Sequence, residues 1–231
     1  MVNGKGRKGG RGMKAIDPLD IVAAALRICD EQGLDHLTVR GLATDLGVGT
    51  MTLYSYFRSK DEILDAIADH VLGEMVVPPA DPADPAAVLR TIAYAFLDLM
   101  RAHPSVVQLF GTRVTTSQHS LKGGMEAVLA RLVDAGIRDE LAVRCYGFLI
   151  TYALGFAHYQ YPRTWGRGDS GEVAELRRQR RHFYASMPAG EFPTMVDLSQ
   201  RLVSLPSDEQ FEFGLSMFVS SVLAELKLQR R

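Results

Sequence analysis

The feature that most constrains this chain is a series of helix starts and stops with no strand-like stretch between them. Asp17 followed by Pro18 is a typical N-cap and first helical residue, and Thr38 is a second cap. Gly33 and Gly47 stand where a residue with positive φ would end a helix. No run of any length alternates apolar and polar residues with a period of two. The sequence therefore predicts an all-α protein.

Two further helices are expected after Gly47. One begins near Gly49, and the other begins at Ser59, because Ser59 and Glu62 have the spacing of a capping box. The second and third helices have the spacing of a helix-turn-helix, since Ala43 is small enough for another helix to approach and Gly47 can make the turn. Any packing of three helices can use this pattern. The residues exposed on these helices are therefore needed to predict its function.

The outer side of the predicted third helix carries hydroxyl, phenol and thioether groups instead of the lysines and glutamates of an ordinary surface helix. Such groups can bond phosphate oxygens and contact base edges and thymine methyls at a lower desolvation cost than a charge. They belong to Thr50, Met51, Thr52, Tyr54, Ser55 and Tyr56. The sequence therefore predicts that this helix enters a groove of DNA.

Charge is unevenly distributed along a chain whose formal net charge is only -1. Residues 1–60 hold nine Lys and Arg against six Asp and Glu, and the first fourteen residues hold five basic residues, five glycines and no acid. We expect residues 1–15 to form a flexible basic arm able to lie along phosphates. A solubilising tail or an expression remnant is the alternative. The segment lacks the apolar core of a secretory signal.

The stretch LTVRGLATDLGVGTMTLYSYFRSKDEILDAI, residues 37–67, resembles the DNA-binding signature of the TetR family of bacterial regulators, above all in TLYSYFRSKDEIL. The stretches LFGTR (109–113) and FEFGLSMFVSSVLAEL (211–226) resemble the tetracycline repressor branch of that family. The resemblance implies an N-terminal three-helix helix-turn-helix domain and a larger helical domain for ligand binding and dimerisation. It also implies a cytoplasmic, ligand-responsive regulator of transcription, with repression as the family's common mode.

The resemblance implies DNA contacts from two helices and from the start of a third. Bases are expected to meet the second helix and the tip of the third, and phosphates the phenols and the lysine that follow. The residues expected to face bases are Arg40, Thr50, Met51 and Thr52, and the other contacts are Thr38, Tyr54, Tyr56 and Lys60. For Tyr54 the alternative is a packing role with a solvated hydroxyl. Leu53 and Phe57 are expected in the core.

The proline-rich stretch PPADPADPAA, residues 78–87, is predicted to join two domains. We expect the helix-turn-helix domain with a connector helix at 16–77, and an effector-binding and dimerisation domain at 78–231. The helices predicted in the second domain span 88–102, a short segment from 104, 122–135, 139–161 and 207–229.

The two longest of these helices have apolar stripes wider than one neighbour requires. We expect one side of each to serve the core and the other to meet a second copy in a four-helix bundle, as the family also implies. A purely monomeric core is the alternative. The expected interface residues are Phe148, Tyr152, Phe211, Leu215, Phe218 and Val222. A twofold axis would place two reading helices in major grooves about 34 Å apart, so the expected partner is a palindromic double-stranded DNA operator.

The tetracycline repressors bind a drug and magnesium in the second domain, but this chain lacks the chelating side chains. The corresponding positions hold Val76, Ile92, Leu109 and Tyr159. No metal site and no cofactor are therefore predicted. Other positions are expected to line a pocket for an apolar or aromatic effector, with ordinary core packing as the alternative for each. They are Phe96, Thr112, Arg113, Met125, Tyr152 and Phe156.

Other classes of protein fit the sequence less well. The six histidines are scattered and no nucleophile motif or phosphate loop is present, so no catalytic residue is predicted. A helical adaptor that binds protein through its helix-turn-helix is the other alternative. Cys29 and Cys145 lack metal-ligand spacing, which indicates a reducing compartment. Residues 145–162 are expected to form a buried helix and not a membrane span, and the basic run 175–184 a solvated helix face and not a second nucleic-acid patch.

Overall fold

The computed structural model describes residues 16–229, and over that range it contains helices and turns but no strand, which confirms the all-α prediction. The first four helices are α1 (Pro18–Gln32), α2 (Val39–Asp45), α3 (Thr50–Tyr54) and α4 (Lys60–Gly73). The others are α5 (Pro85–Ala102), α6 (Val107–Phe110), α7 (Gln118–Ser120), α8 (Ala127–Asp134), α9 (Asp139–Gln160), α10 (Gly171–Ala185), α11 (Pro193–Asp197), α12 (Ser199–Leu202) and α13 (Asp208–Gln229). The predicted basic arm, 1–15, lies outside the described residues.

Local signals set the ends of the first helices as predicted. The Asp17 carboxylate and the Thr38 hydroxyl accept hydrogen bonds from backbone N–H groups of the first turns of α1 and α2, at 2.8 and 3.0 Å. Such caps satisfy amide groups that have no partner inside the helix. Gly33 and Gly47 follow those helices with φ of +94° and +67°. The ends of α1 and α2 therefore depend on residues that adopt positive φ with little strain.

Three helix boundaries or elements differ from the predictions. α5 starts at Pro85 and not at residue 88, because Asp84 accepts bonds from two amides of its first turn and proline fits there. The helix predicted from residue 122 begins at Gln118 and passes through a π-helical segment, Leu121–Glu126, before α8. The short helices α11 and α12 were not predicted, since neither has an apolar period long enough to detect.

Buried side chains form two hydrophobic clusters. The first is built by α1 to α4 and includes Ile21, Leu42 and Leu53, none of which is exposed. The second is built mainly by α5, α8, α9 and α13, with α9 and α13 both packed against α5. We call α1 to α4 the head and the remainder of the described chain the body.

Packing crosses the predicted boundary between residues 77 and 78 in both directions. Val106 and Leu109, beside and within α6, belong to the head cluster, and Leu72 at the end of α4 belongs to the body cluster. Leu99 and Phe110 pack against both clusters. The position of the domain boundary stays a prediction, but α4 and α6 are the elements through which head and body share apolar contacts.

By length and composition, α9 could cross a membrane, with a mean hydropathy of 1.2 over 18 residues. Seven of its 22 residues are buried within the protein, among them Cys145, Leu149 and Ala153. One side of α9 is therefore a core surface that packs along α5.

Candidate DNA-binding surface and effector clefts

The turn between α2 and α3 is fixed by two backbone hydrogen bonds. The amide of Val48 donates to Ala43 O at 3.0 Å, and the amide of Gly47 donates to Thr44 O at 3.1 Å. This pair of bonds is the Schellman motif, which requires positive φ at the residue after the helix. A Cβ at Gly47 would meet no atom within 4 Å, so backbone conformation and not space favours glycine there. The turn sets the angle at which α3 leaves α2.

The two sides of α3 differ sharply in exposure. Leu53 is 0% exposed and anchors α3 in the head cluster, and Phe57 packs partly buried against the same cluster. On the other side Met51 is 78%, Tyr54 47% and Tyr56 39% exposed. Thr50 and Thr52 are half-buried and flank Met51 along α3. The inner residues are thus where the sequence predicted them, and α3 presents a face of hydroxyl, phenol and thioether groups to solvent.

The start of α4 is fixed next to this face. Ser59 Oγ accepts from the amide of Glu62 at 3.2 Å, and Glu62 Oε2 accepts from the amide of Arg58 at 2.6 Å. The Glu62 carboxylate thus reaches one residue further back than in the predicted capping box, where it would meet the amide of Ser59 itself. Lys60, in the first turn of α4, is consequently held at a defined position beside α3.

Two arginines form ion pairs with three carboxylates of the head. Arg27 of α1 binds Asp45 at the end of α2, 2.5 Å apart. Arg113 from the body binds Asp61 at 2.7 Å and Asp65 at 2.5 Å, both on α4. These carboxylates raise the pKa of the Arg113 guanidinium, with the hydrogen bond to Asp61 as the largest cause. These two arginines therefore offset only part of the negative charge close to α3 and α4.

Some cations near α3 have no such partner among the described residues. Within residues 16–229, neither Arg40 nor Lys60 forms an ion pair. Arg40 is exposed on α2 and Lys60 is half-buried on α4. Unpaired cations beside a face of neutral donors suit a phosphate backbone, because each cation that neutralises a phosphate releases a counterion. The surface formed by Arg40, α3 and Lys60 is our candidate DNA-binding surface.

Polar contacts join the head to the body on two sides. On one side Asp30 of α1 accepts from Ser105 Oγ at 2.5 Å and lies 2.9 Å from His103 Nδ1. On the other side, Arg113 of the body binds Asp61 and Asp65 of α4. Two carboxylates and the Asp61 carbonyl occupy the guanidinium of Arg113 in this structure, and its predicted pocket role stays a prediction.

Close backbone packing provides a third connection between head and body, which the sequence reasoning missed. A Cβ on Gly123 of the π-helical segment would overlap the carbonyl group of Gly73 at the end of α4, and one on Gly124 would overlap Leu72. A glycine pair inside a helix costs about 1 kcal/mol per residue relative to alanine, so the doublet was a usable signal of close approach. The end of α4 is therefore held tightly against the body.

Several of the predicted effector residues pack against other side chains of the body. Phe96 is 0% exposed and meets Tyr146 edge-on, with ring centroids 6.0 Å apart. Phe156 is 9% exposed, and the Tyr152 hydroxyl donates to Phe211 O at 2.9 Å. Met125 lies partly exposed on the π-helical segment. These residues have packing roles in this structure, so their part in effector binding stays a prediction.

One predicted effector residue, Thr112, does line a cleft. This cleft of about 420 Å³ lies between the end of α6 and one side of α9. Its α9 wall includes Thr151, Gly155 and His158, and its α6 wall includes Gln108. The volume lies within the range of small-molecule sites. The same short α6 helix thus faces this cleft and contributes Leu109 to the head cluster.

Three of the six predicted interface residues pack in the core of this chain. Phe211, Leu215 and Val222 are 0–4% exposed, so their part in an interface stays a prediction. Phe148 and Phe218 are half-buried and stack with ring centroids 3.8 Å apart. The apolar residues on the open side of α13 are Phe213, Met217 and Leu228, each more than 60% exposed. The predicted two-sided helix is present, with its outer face displaced by two residues.

The head is all-helical, and its helix-turn-helix has a buried core, a polar exposed face on α3 and unpaired cations beside that face. This combination is that of a DNA-binding regulatory protein with an attached helical body. Family profiles agree with that class. The profile for bacterial regulatory proteins of the tetR family matches residues 21–67, and the profile for the tetracyclin repressor-like C-terminal domain matches residues 78–226. The chain belongs to the TetR family.

Individual relatives extend the similarity over the whole chain. The transcriptional repressor DrrR1 of Streptomyces coeruleorubidus is 33% identical over 98% of this chain and 84% of its own length. The class A tetracycline repressor of transposon 1721 from Escherichia coli is 43% identical over 71% of this chain and 76% of its own. The Streptomyces coelicolor TetR family protein ActR, solved in complex with actinorhodin, has 32% identity and a TM-score of 0.75 over 91% of this chain and 98% of its own. The protein is accordingly a ligand-responsive, DNA-binding transcriptional repressor.

Proposed function

We propose that the protein represses transcription as a homodimer that holds two copies of α3 in adjacent major grooves of a palindromic operator. The observation that carries the proposal is the split of α3 into an inner side anchored by the fully buried Leu53 and an outer side led by Met51, which is 78% exposed. One helix of five residues reads few base pairs, and a twofold axis doubles the site. Catalysis has no part in this role.

On this surface each predicted contact residue is assigned either to bases or to phosphates. Met51 and the two flanking threonines meet base edges and methyl groups, and Arg40 reaches a base from α2. Tyr54, Tyr56 and Lys60 bind phosphates, which fixes register without reading sequence. The Thr38 hydroxyl already accepts the capping hydrogen bond of α2 at 3.0 Å, so its DNA contact uses the free O–H as a donor or the neighbouring amide.

The open side of α13 supports the homodimer. Phe213 and Met217 are spaced by four residues and so lie on one face, 63% and 61% exposed. A contiguous apolar face of this kind is costly in water and marks a protein contact. Together with the partly exposed Phe148 and Phe218, it provides the outer half of the four-helix bundle.

An effector acts by binding more tightly to the conformation whose two reading helices are wrongly spaced. The chain's similarity to ActR, which is solved with actinorhodin, supports an aromatic effector for this protein as well. The cleft between α6 and α9 is a suitable place, because α6 contacts both the cleft and the head cluster. A ligand that moves α6 changes the packing of the head.

The proposed function is tested with random-sequence DNA selection followed by titration of variants. The wild-type protein is expected to enrich an inverted repeat. Lys60→Ala should weaken binding to all sequences and reduce the salt slope by about 1, whereas Thr50→Ala should change preference at one position by about 1–3 kcal/mol. Lys122→Ala, in the body, is the matched control for loss of a lysine. Selection that enriches no repeat, or a Lys60 effect no larger than that of Lys122, favours the adaptor alternative.

A further inference from the structure

A separate cleft of about 320 Å³ lies where the C-terminal ends of α5 and α9 meet the turn after α9. Its apolar wall includes Met100, Pro104 and Ala157. Its other wall is formed by three arginines and neutral polar groups, and no carboxylate lines it. A cavity with an apolar wall and a few convergent polar groups is typical of a small-molecule site. None of the predicted effector residues lines this cleft.

The first arginine, Arg101, is built into the floor of the cleft. Its side chain is only 9% exposed, and its Nε and Nη2 donate to Gln160 Oε1 at 3.0 and 2.8 Å. Asp208 completes an ion pair with the same guanidinium. Gln160, 5% exposed, in turn donates to Pro206 O at 2.5 Å. This buried network holds Arg101 in one position and balances its charge.

The other two arginines, Arg163 and Arg167, differ from Arg101 in their partners. Arg163 donates to Tyr159 O at 2.6 Å, and its guanidinium carbon lies 3.7 Å from the centroid of the Tyr159 ring. In the part of the chain that the structure describes, neither Arg163 nor Arg167 forms an ion pair. The cleft therefore has an excess of positive charge beside an apolar wall, which attracts an anion with an apolar body.

The turn that carries both arginines is preorganised. Arg177 of α10 donates to Trp165 O at 2.7 Å and to Gly168 O at 2.9 Å, so it holds the turn from outside. On the inside, a Cβ at Gly166 would overlap the carbonyl of Pro206, which shows how closely the turn approaches the body. A site that is formed before the ligand arrives loses less conformational entropy on binding.

We propose that this cleft binds a small aromatic acid. The carboxylate of the ligand is bound by Arg163 and Arg167 through charge-assisted hydrogen bonds, and its fused rings lie against Met100 and Ala157. Arginine suits such a ligand because a planar guanidinium both pairs with a carboxylate and stacks on an aromatic face. The proposal goes beyond the proposed function, since it adds a ligand site apart from the cleft between α6 and α9; the binding itself does not depend on DNA.

The test uses isothermal titration calorimetry of the full-length protein with anthraquinone-2-carboxylate and with its neutral amide, anthraquinone-2-carboxamide. We expect the acid to bind at least about tenfold more tightly than the amide, and salt to weaken only the acid. Arg163→Gln and Arg167→Gln should each weaken the acid by about tenfold and leave the amide unchanged. Arg201→Gln, an exposed arginine of α12 outside the cleft, is the control.

Equal binding of acid and amide would overturn the proposal, as would equal losses in the Arg201 and Arg167 variants. So would a lack of any acid binding. Trp165 is the chain's one tryptophan and follows a residue of the cleft wall, so its fluorescence should change on binding and serves as a second readout. DNA binding is measured on the same samples without ligand. Loss of that binding reports on the repressor function alone, and loss of acid binding reports on the cleft alone.

Discussion

The candidate functional surfaces of the head and of the body differ in polarity. In the head, apolar side chains such as Leu53 are buried and the exposed side of α3 is polar or weakly polar. In the body, the apolar Phe213 and Met217 remain exposed, and the two clefts form where elements distant in sequence meet. The sequence of a helix is enough to predict that it enters a DNA groove. A surface for a second copy or a ligand is harder to predict, because it depends on which side chains the rest of the chain leaves uncovered.

The contrast is clearest between α3 and α13. On α3, residues two apart, Met51 and Leu53, fall on opposite sides, as the helical period predicts for a single buried stripe. On α13, Phe211 and Phe213 do the same, but both are phenylalanines, so residue type does not show which one is buried. Phe211 packs inward because Tyr94 of α5 and Tyr152 of α9 contact its ring, and Phe213 is left outward.

The largest effect is expected where the body's exposed face is made acidic. Phe213→Glu with Met217→Glu should separate the proposed dimer and lower affinity for an inverted repeat by on the order of a thousandfold, the least by which specific binding exceeds non-specific binding. Sedimentation and DNA titration measure both changes. Val133→Glu, on the partly exposed side of α8, should leave both unchanged. If the doubly acidic variant stays dimeric, α13 is not part of the interface.

A smaller effect is expected at the two cysteines, one in the head and one in the body. Burial raises the pKa of Cys29 and of Cys145 to about 11. At about pH 8 the thiolate is then roughly a hundredfold rarer than at the ordinary pKa, so labelling by a disulfide reagent should be slower by at least that factor than in denaturant.

The two cysteines also report on local stability. Cys29 should react before Cys145, because the head cluster is smaller and opens more easily. Both thiols have a higher pKa in the folded protein than in the unfolded chain. The free energy of unfolding should therefore fall as the pH rises from about 9 to about 11. Mass spectrometry of partly labelled protein identifies the first site. Simultaneous labelling would show that head and body open as one unit.

The smallest effect is expected from removing one methylene from each core. Ile67→Val in the head and Ile92→Val in the body both change a side chain that is 0% exposed, and each should lower the free energy of unfolding by about 0.5–1.5 kcal/mol. Differential scanning calorimetry shows whether each variant lowers a separate transition. A common shift of one transition in both variants would mean that Leu99 and Phe110, which contact both clusters, join them into one cooperative unit.

The sequence alone predicted the all-α class and the local structure of the head. Thr38 and Ser59 cap their helices, Gly33 and Gly47 take positive φ, and the inner position of Leu53 was correct. These features could be read because each depends on residues within one or two turns of each other. The DNA contacts themselves remain predictions, since they need a partner molecule.

Other outcomes were decided by contacts between distant residues. Arg113 pairs with α4, 48 and 52 positions earlier, and Val106 with Leu109 packs into the head. Arg163 and Arg167 belong to a basic stretch of no particular pattern, yet the turn of the chain sets them beside the ends of α5 and α9. Sequence determined the helices and their ends because capping and periodicity act locally. Only the tertiary structure decided which faces were covered, because burial depends on which distant segment fills the space.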